Sequence, residues 1–253
     1  MGWAGELVYV SAFALPALFG MYLSRRLHTQ REEEAGVSLP VKWYLGLSAE
    51  SLGLLLPLAI PVILCVMLVS ILTTLLLSLF RVGTSAIEIT SLPVMILRHA
   101  LVPALLEEML FRYVPLKLIL PYSRRACIVI SSLYFALIHC NLLSIPYALV
   151  AGVLFISLDI AFDSVLPSLI LHFLNNTLSV IMMKYCNGAT SYAIYFGVLA
   201  LLLLASIPFV YRSRAKYREI LKSILANEVK GEIGYYSLLL IIPTMLAAIM
   251  NLF

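Results

Sequence analysis

The sequence predicts an all-α, polytopic transmembrane helix bundle of about eight spans, forming a single domain over residues 1–253. Three observations carry this. Of the 253 residues, 62% are hydrophobic and only 12% are charged, whereas a soluble domain averages about 25% charged residues. The apolar runs are continuous rather than alternating at every second residue, which favours helices over barrel strands. Polar clusters divide those runs into segments near the roughly 20 residues that cross a bilayer as a helix.

Leu7–Leu23 is the first predicted span. It lacks a basic leading region and Glu6 precedes it, so it reads as a retained helix rather than a cleaved signal. Arg25, Arg26, His28, Arg31 and Glu32 to Glu34 follow, and the spacing predicts a solvated loop to about Trp43. Ser51–Phe80 holds no charge and no histidine, enough for one long, tilted span in which Pro57 and Pro61 introduce a kink or an interfacial turn. A short polar connection, Arg81 to Ser91, leads to Leu92–Leu120, a helix punctuated by Pro93, Pro103 and Pro115 and closed by Arg124 and Arg125.

Ala126–Cys140 is the next span, with a tight turn at Asn141, Ser144 and Pro146. Tyr147–Phe162 returns, with Asp159 and Asp163 marking its far end, and Pro167–Met183 follows. Tyr192–Tyr211 is featureless and apolar. Arg212 to Glu232 reads as a basic amphipathic connector lying along the membrane surface, and Tyr235–Phe253 is the last span. No internal repeat is visible. Cys65, Cys127, Cys140 and Cys186 lack C-x-x-C spacing and read as small buried hydrophobes; Cys140 and Cys186 fall near the same membrane face, which leaves room for a disulfide between them.

The net charge of +4 is no nucleic-acid signal; its distribution orients the chain. Arg25, Arg26, Arg31, Lys42, Arg124, Arg125 and the basic residues from Arg212 to Lys230 fall on one side, against little beyond Arg81 and Lys184 on the other. The positive-inside rule then puts the first set in the cytoplasm and both termini outside.

Three polar motifs sit inside apolar segments: Glu107-Glu108-x-x-x-Arg112, Phe135-x-x-x-His139 and His172-x-x-x-Asn176. Ionisable groups at membrane depth cost roughly 2.5–3.5 kcal/mol each on insertion scales, so they point to function by default. Adjacent glutamates project about 100° apart on a helix, so only one faces a given site. Glu108 and Arg112 are four apart and can pair, which leaves Glu107 as the free carboxylate. A structural ion pair is the bland alternative. Each histidine motif alone reads as an interhelical hydrogen bond, His99 reads as structural and His28 as a loop residue. Together, a carboxylate, two imidazoles and an amide from three spans match water activation with oxyanion stabilisation. They also match a three-ligand metal site with an open position. The two histidines differ in expected depth: at 1.5 Å per residue, His172 lies roughly 10 Å from its cytoplasmic end and His139 roughly 20 Å. Straight parallel helices would not bring the two together.

The ordered motifs, with the words Phe135-Ala136-Leu137-Ile138-His139 and Pro167-Ser168-Leu169-Ile170-Leu171-His172-Phe173-Leu174-Asn175-Asn176, resemble the CAAX-protease and bacteriocin-processing family of intramembrane proteases, the Rce1-like or Abi family. The resemblance covers roughly residues 103–180. It implies a membrane-embedded endopeptidase with Glu107 as general base, His139 binding or activating the water, His172 and Asn176 stabilising the oxyanion, and Glu108 and Arg112 in support. It leaves metal dependence open; a divalent ion such as zinc would take Glu107, His139 and His172.

The expected activity is therefore hydrolysis of a peptide bond in a membrane-associated or prenylated CAAX-type protein, or in a bacteriocin-type peptide. The expected setting is the bacterial plasma membrane, with membrane lipid as surroundings and no nucleic acid as partner. Two other classes compete: a non-enzymatic scaffold or bacteriocin-immunity protein binding a partner through the same cavity, and a proton-relay transporter. Transporters commonly carry paired halves, which are absent here.

Overall fold

The computed structural model describes residues 3–35, 45–80 and 89–225, and all regular structure among them is helical. The first helix, α1 (Trp3–Ala35), is longer than the sequence pattern predicts. The expected loop after Leu23 is helical through Ala35, carrying His28 within it, because Arg, Leu, Gln and Glu are good helix formers even where no apolar face is left to bury. α2 (Ala49–Ser78) is one continuous helix through Pro57 and Pro61. Its start is fixed by Ser48, whose hydroxyl accepts the Ser51 N–H at 3.0 Å, a standard way to satisfy an orphan donor at a helix start.

The motif-bearing segment is a chain of short pieces: α3 (Leu92–Ile96), a π-helical turn at Leu97–Leu101, α4 (Val102–Glu108), a second π-helical turn at Met109–Tyr113, and α5 (Val114–Leu118). The prolines account for both irregular turns. Proline lacks an N–H and clashes with the carbonyl four residues earlier, and each π turn lies just ahead of one, Pro103 or Pro115. The Val102 N–H reaches back five residues to the Leu97 carbonyl, and that of Val114 to Met109. Such single wide turns let a helix pass a proline without orphaning its backbone.

α6 (Arg124–Leu137) has 14 residues and is therefore about 21 Å long, short of the roughly 30 Å hydrocarbon thickness. The chain turns at Cys140, whose φ of 45° is left-handed, and returns as α7 (Ile145–Phe162). α6 and α7 pack as a close pair. A Cβ placed on Gly152 would meet the Ser132 Cα at 2.9 Å, so the two backbones touch at a position only glycine allows. Asp159 helps join α7 to α8 (Leu166–Tyr185): its carboxylate accepts the Ser168 N–H at 2.9 Å in the first turn of α8. α9 (Ala189–Arg212) runs back along α2.

α10 (Arg214–Leu225) occupies the expected basic connector and buries none of its residues. It is tied to α2 by Tyr217, which donates to the Leu54 carbonyl at 2.9 Å, and by a Lys216–Glu50 ion pair. Arg124 donates to the Ser223 carbonyl.

Among the described residues, five helices are long and apolar enough to cross a membrane: Leu7–Leu27, Ala49–Ser78, Ile145–Phe162, Leu166–Tyr185 and Ala189–Arg212. The broken segment and the short α6 fill the two remaining predicted places before the connector. The eighth expected span, Tyr235–Phe253, lies outside the described residues, as do most of the Arg81–Ser91 connection, Lys42 and Lys230. All four cysteines are free thiols, so the Cys140–Cys186 pairing is not made. The main core packs Phe111, Phe135, Phe155 and Leu171 together, each 3% exposed or less. The three polar motifs sit against these aromatic rings.

Candidate active site

Glu107 and Glu108 end α4, and their divergence on the helix sends them to different partners. Glu108 is 1% exposed and Arg112 is fully buried, and their side chains pair at 3.2 Å between Oε2 and Nε. The second oxygen of Glu108 receives the Nδ1–H of His172 at 2.6 Å. An Nδ1–H held by a carboxylate orients the ring and leaves Nε2 pointing the other way. There Nε2 faces Oε2 of Glu107 at 3.9 Å, beyond hydrogen-bond reach.

Arg112 is anchored as well as paired. Its Nη1 donates to the Phe111 carbonyl at 3.2 Å and to the Ser131 hydroxyl at 3.1 Å, while Ser131 itself donates to the same carbonyl at 2.5 Å. Phe111 lies four residues before Pro115, so its carbonyl has no α-helical N–H to accept. The proline that breaks the helix thus frees the acceptor that holds the guanidinium. The Arg112 guanidinium also lies over the Phe135 ring at 4.5 Å.

Phe135 is the hub of the site. Its ring meets His139 edge-on at 5.2 Å and His172 at 5.5 Å. The histidines therefore converge on one aromatic platform despite the depth mismatch expected from straight helices. The Nδ1–H of His139 donates to the Phe135 carbonyl at 2.7 Å, which a carbonyl can only accept, so its Nε2 carries the lone pair. His139 bonds neither glutamate among the described residues. Asn176 is half-buried one turn beyond His172, its carbonyl accepting from Asn175 at 3.3 Å.

Two partners escape the sequence motifs. Glu107 is not a free carboxylate, as the i, i+4 argument predicted, because the Tyr9 hydroxyl of α1 donates to its Oε1 at 2.6 Å. Asp159, read as marking the end of a span, is fully buried and holds the first turn of the helix that carries His172. An acidic residue in an apolar run was a signal for Asp159. A tyrosine in a first span is too ordinary to be one.

The donor set bears on a metal. Among the described residues no three His, Cys, Asp or Glu side chains lie close enough together to hold one ion. Glu107 and His172 face each other, but His139 does not complete a three-ligand cage with them, and His172 Nδ1 is already committed to Glu108. Among the described residues, Glu107, His139 and His172 do not form the three-ligand cluster a zinc-type site needs.

Residues 89–178 match a family model described as Type II CAAX prenyl endopeptidase Rce1-like. No curated protein and no solved structure matches the chain. The matched stretch contains Glu107, Glu108, Arg112, His139, His172 and Asn176, and leaves Tyr9 outside it. This segment, which carries all three motifs on one aromatic platform, resembles the Rce1-like, CAAX-protease and bacteriocin-processing family.

Proposed function

We propose that the chain is an intramembrane endopeptidase that hydrolyses a peptide bond by glutamate-activated water. The single observation that carries this reading is the 3.9 Å gap between Glu107 Oε2 and His172 Nε2. The gap is too long for a direct hydrogen bond, and one water can touch both atoms at ordinary distances of about 2.8 Å. Glu107 takes a proton from that water as its oxygen adds to the scissile carbonyl carbon. The Asn176 amide donates to the oxyanion, the Nε2 lone pair of His172 accepts the second hydrogen of the water, and His139, its tautomer set by the Phe135 carbonyl, flanks the site on the Phe135 ring. When the C–N bond breaks, Glu107 returns the proton to the leaving amine, so the proton count closes. Glu108 and Arg112 keep the His172 ring oriented and touch no substrate.

The likeness of residues 89–178 to the Rce1-like family supports a peptide or protein substrate. A membrane-associated or lipidated CAAX-type protein, or a bacteriocin-type peptide, is the substrate class we propose. The charge distribution supports a plasma-membrane protein with the basic loops in the cytoplasm and the termini outside.

The test is cleavage of a panel of prenylated and unmodified peptides by purified protein, beside Glu107→Gln and His139→Ala. General acid–base groups contribute about 10²–10⁴-fold, so Glu107→Gln should lower kcat by at least that lower bound while remaining folded. Cleavage that survives Glu107→Gln would reject the assignment of the base.

A further inference from the structure

Glu107 presents two oxygens to two different neighbours, and only one of those neighbours belongs to the motifs. Oε2 faces His172, while Oε1 accepts the Tyr9 hydroxyl at 2.6 Å. A carboxylate turns easily about its last torsion, which is broad and roughly two-fold, so some partner must choose which oxygen faces the reaction. Tyr9 is well placed to do so, because its own ring is fixed. It packs on Phe13 at 4.7 Å, and Phe13 meets Phe111 edge-on at 6.0 Å. Phe13 is 9% exposed and Ala17 5%. One turn further along, a Cβ on Gly20 would approach the Val114 methyls at 2.8–2.9 Å. α1 is therefore docked along one face against the broken helix, and Tyr9 is the polar end of that face.

We propose that Tyr9 is a positioning residue that holds the Glu107 carboxylate with Oε2 turned toward His172, so that the site is completed by the first helix rather than by the three motifs alone. This rests on the reading of Glu107 as the base. It assigns a role to a residue outside the 89–178 match, and it makes the seating of α1 a condition for turnover.

The experiment uses the full chain, purified in detergent or nanodiscs, as wild type, Tyr9→Phe, Glu107→Gln and the double variant. Tyr9→Phe keeps the ring and removes only the hydroxyl. It should lower kcat about tenfold, the scale of one hydrogen bond to a charged group, with KM unchanged. In the Glu107→Gln background it should change turnover no further. A wild-type kcat in Tyr9→Phe, with Glu107→Gln inactive, overturns the positioning role alone. Full activity in Glu107→Gln overturns the base assignment as well. A loss in Tyr9→Phe that only tracks loss of folded protein makes the residue structural and also overturns the proposal. Thermal unfolding of wild type, Tyr9→Phe, Glu107→Leu and their double variant, in which each change removes the bond, needs no substrate. The Tm shifts should be non-additive, and additive shifts overturn the bond between Tyr9 and Glu107 whatever the activity.

Discussion

Replacing Arg112 by methionine removes a guanidinium that is fully buried and leaves its neighbours behind. Glu108 loses its 3.2 Å ionic partner while staying buried, the Phe111 carbonyl keeps only Ser131 as donor, and Phe135 loses the cation above its ring. Removing one partner from a buried ion pair costs about 3–5 kcal/mol, because the surviving charge is left uncompensated. The cation–π contact, about 2 kcal/mol when desolvated, overlaps that figure and is not added to it. Against a total stability of about 5–15 kcal/mol, Arg112→Met should produce a large drop in the midpoint of unfolding by heat or denaturant. The reasoning has a sharper consequence. If the damage comes from the orphaned Glu108 charge, adding Glu108→Gln should restore part of the stability, since removing both charges of a buried pair is often near neutral. Catalysis should not recover, because the amide no longer holds His172 as a carboxylate does. Equilibrium unfolding of the wild type, Arg112→Met, Glu108→Gln and the double variant decides the matter. If Arg112→Met lies within about 1 kcal/mol of wild type, or if the double variant is less stable than Arg112→Met, the buried ion pair is not what organises this site.

The contact of α6 with α7 makes a packing prediction. Gly152→Ala forces a Cβ to 2.9 Å from a backbone atom of Ser132 and should destabilise by about 1–3 kcal/mol, whereas Gly53→Ala, with nothing within 4 Å, should be neutral or stabilising by up to about 1 kcal/mol. Thermal unfolding of the two variants separates local crowding from a general effect of alanine. A chelator should leave peptide cleavage unchanged, because His139, His172 and the glutamates do not assemble a three-ligand cage. Loss of activity on chelation, restored by a divalent ion, would overturn that reading of the donor geometry.

Several parts of this site could be read from residue order. Charges inside apolar runs are costly wherever they fall, so Glu107, Glu108, Arg112, His139 and His172 stood out without coordinates. The i, i+4 rule correctly paired Glu108 with Arg112, because both ends of that contact lie on one helix. It failed for Glu107, because the Tyr9 bond spans 98 positions and tyrosine is amphipathic enough to pass unnoticed in a membrane segment. Phe135 was visible only as sharing a face with His139. Its place beneath Arg112 and between two imidazoles depends on three segments packing around it. Pro103 and Pro115 announced a disturbed helix but not its form, since a kink, a break and a wide turn all begin with the same missing N–H. Asp159 was read as a boundary because hydropathy along the chain reports depth poorly.

The sequence by itself determined the chemistry available to this protein and the medium it lives in: an all-helical membrane bundle, and a carboxylate, imidazoles and an amide set inside its apolar segments. Those properties follow from transfer free energies and helical spacing, which act locally. Tertiary structure alone decided which carboxylate oxygen faces His172, that the Phe111 carbonyl freed by a proline anchors Arg112, and that α1 contributes to the site. Each of these depends on contacts between segments remote in the chain, and pairwise geometry of that kind is set by packing the whole bundle rather than by any stretch within it.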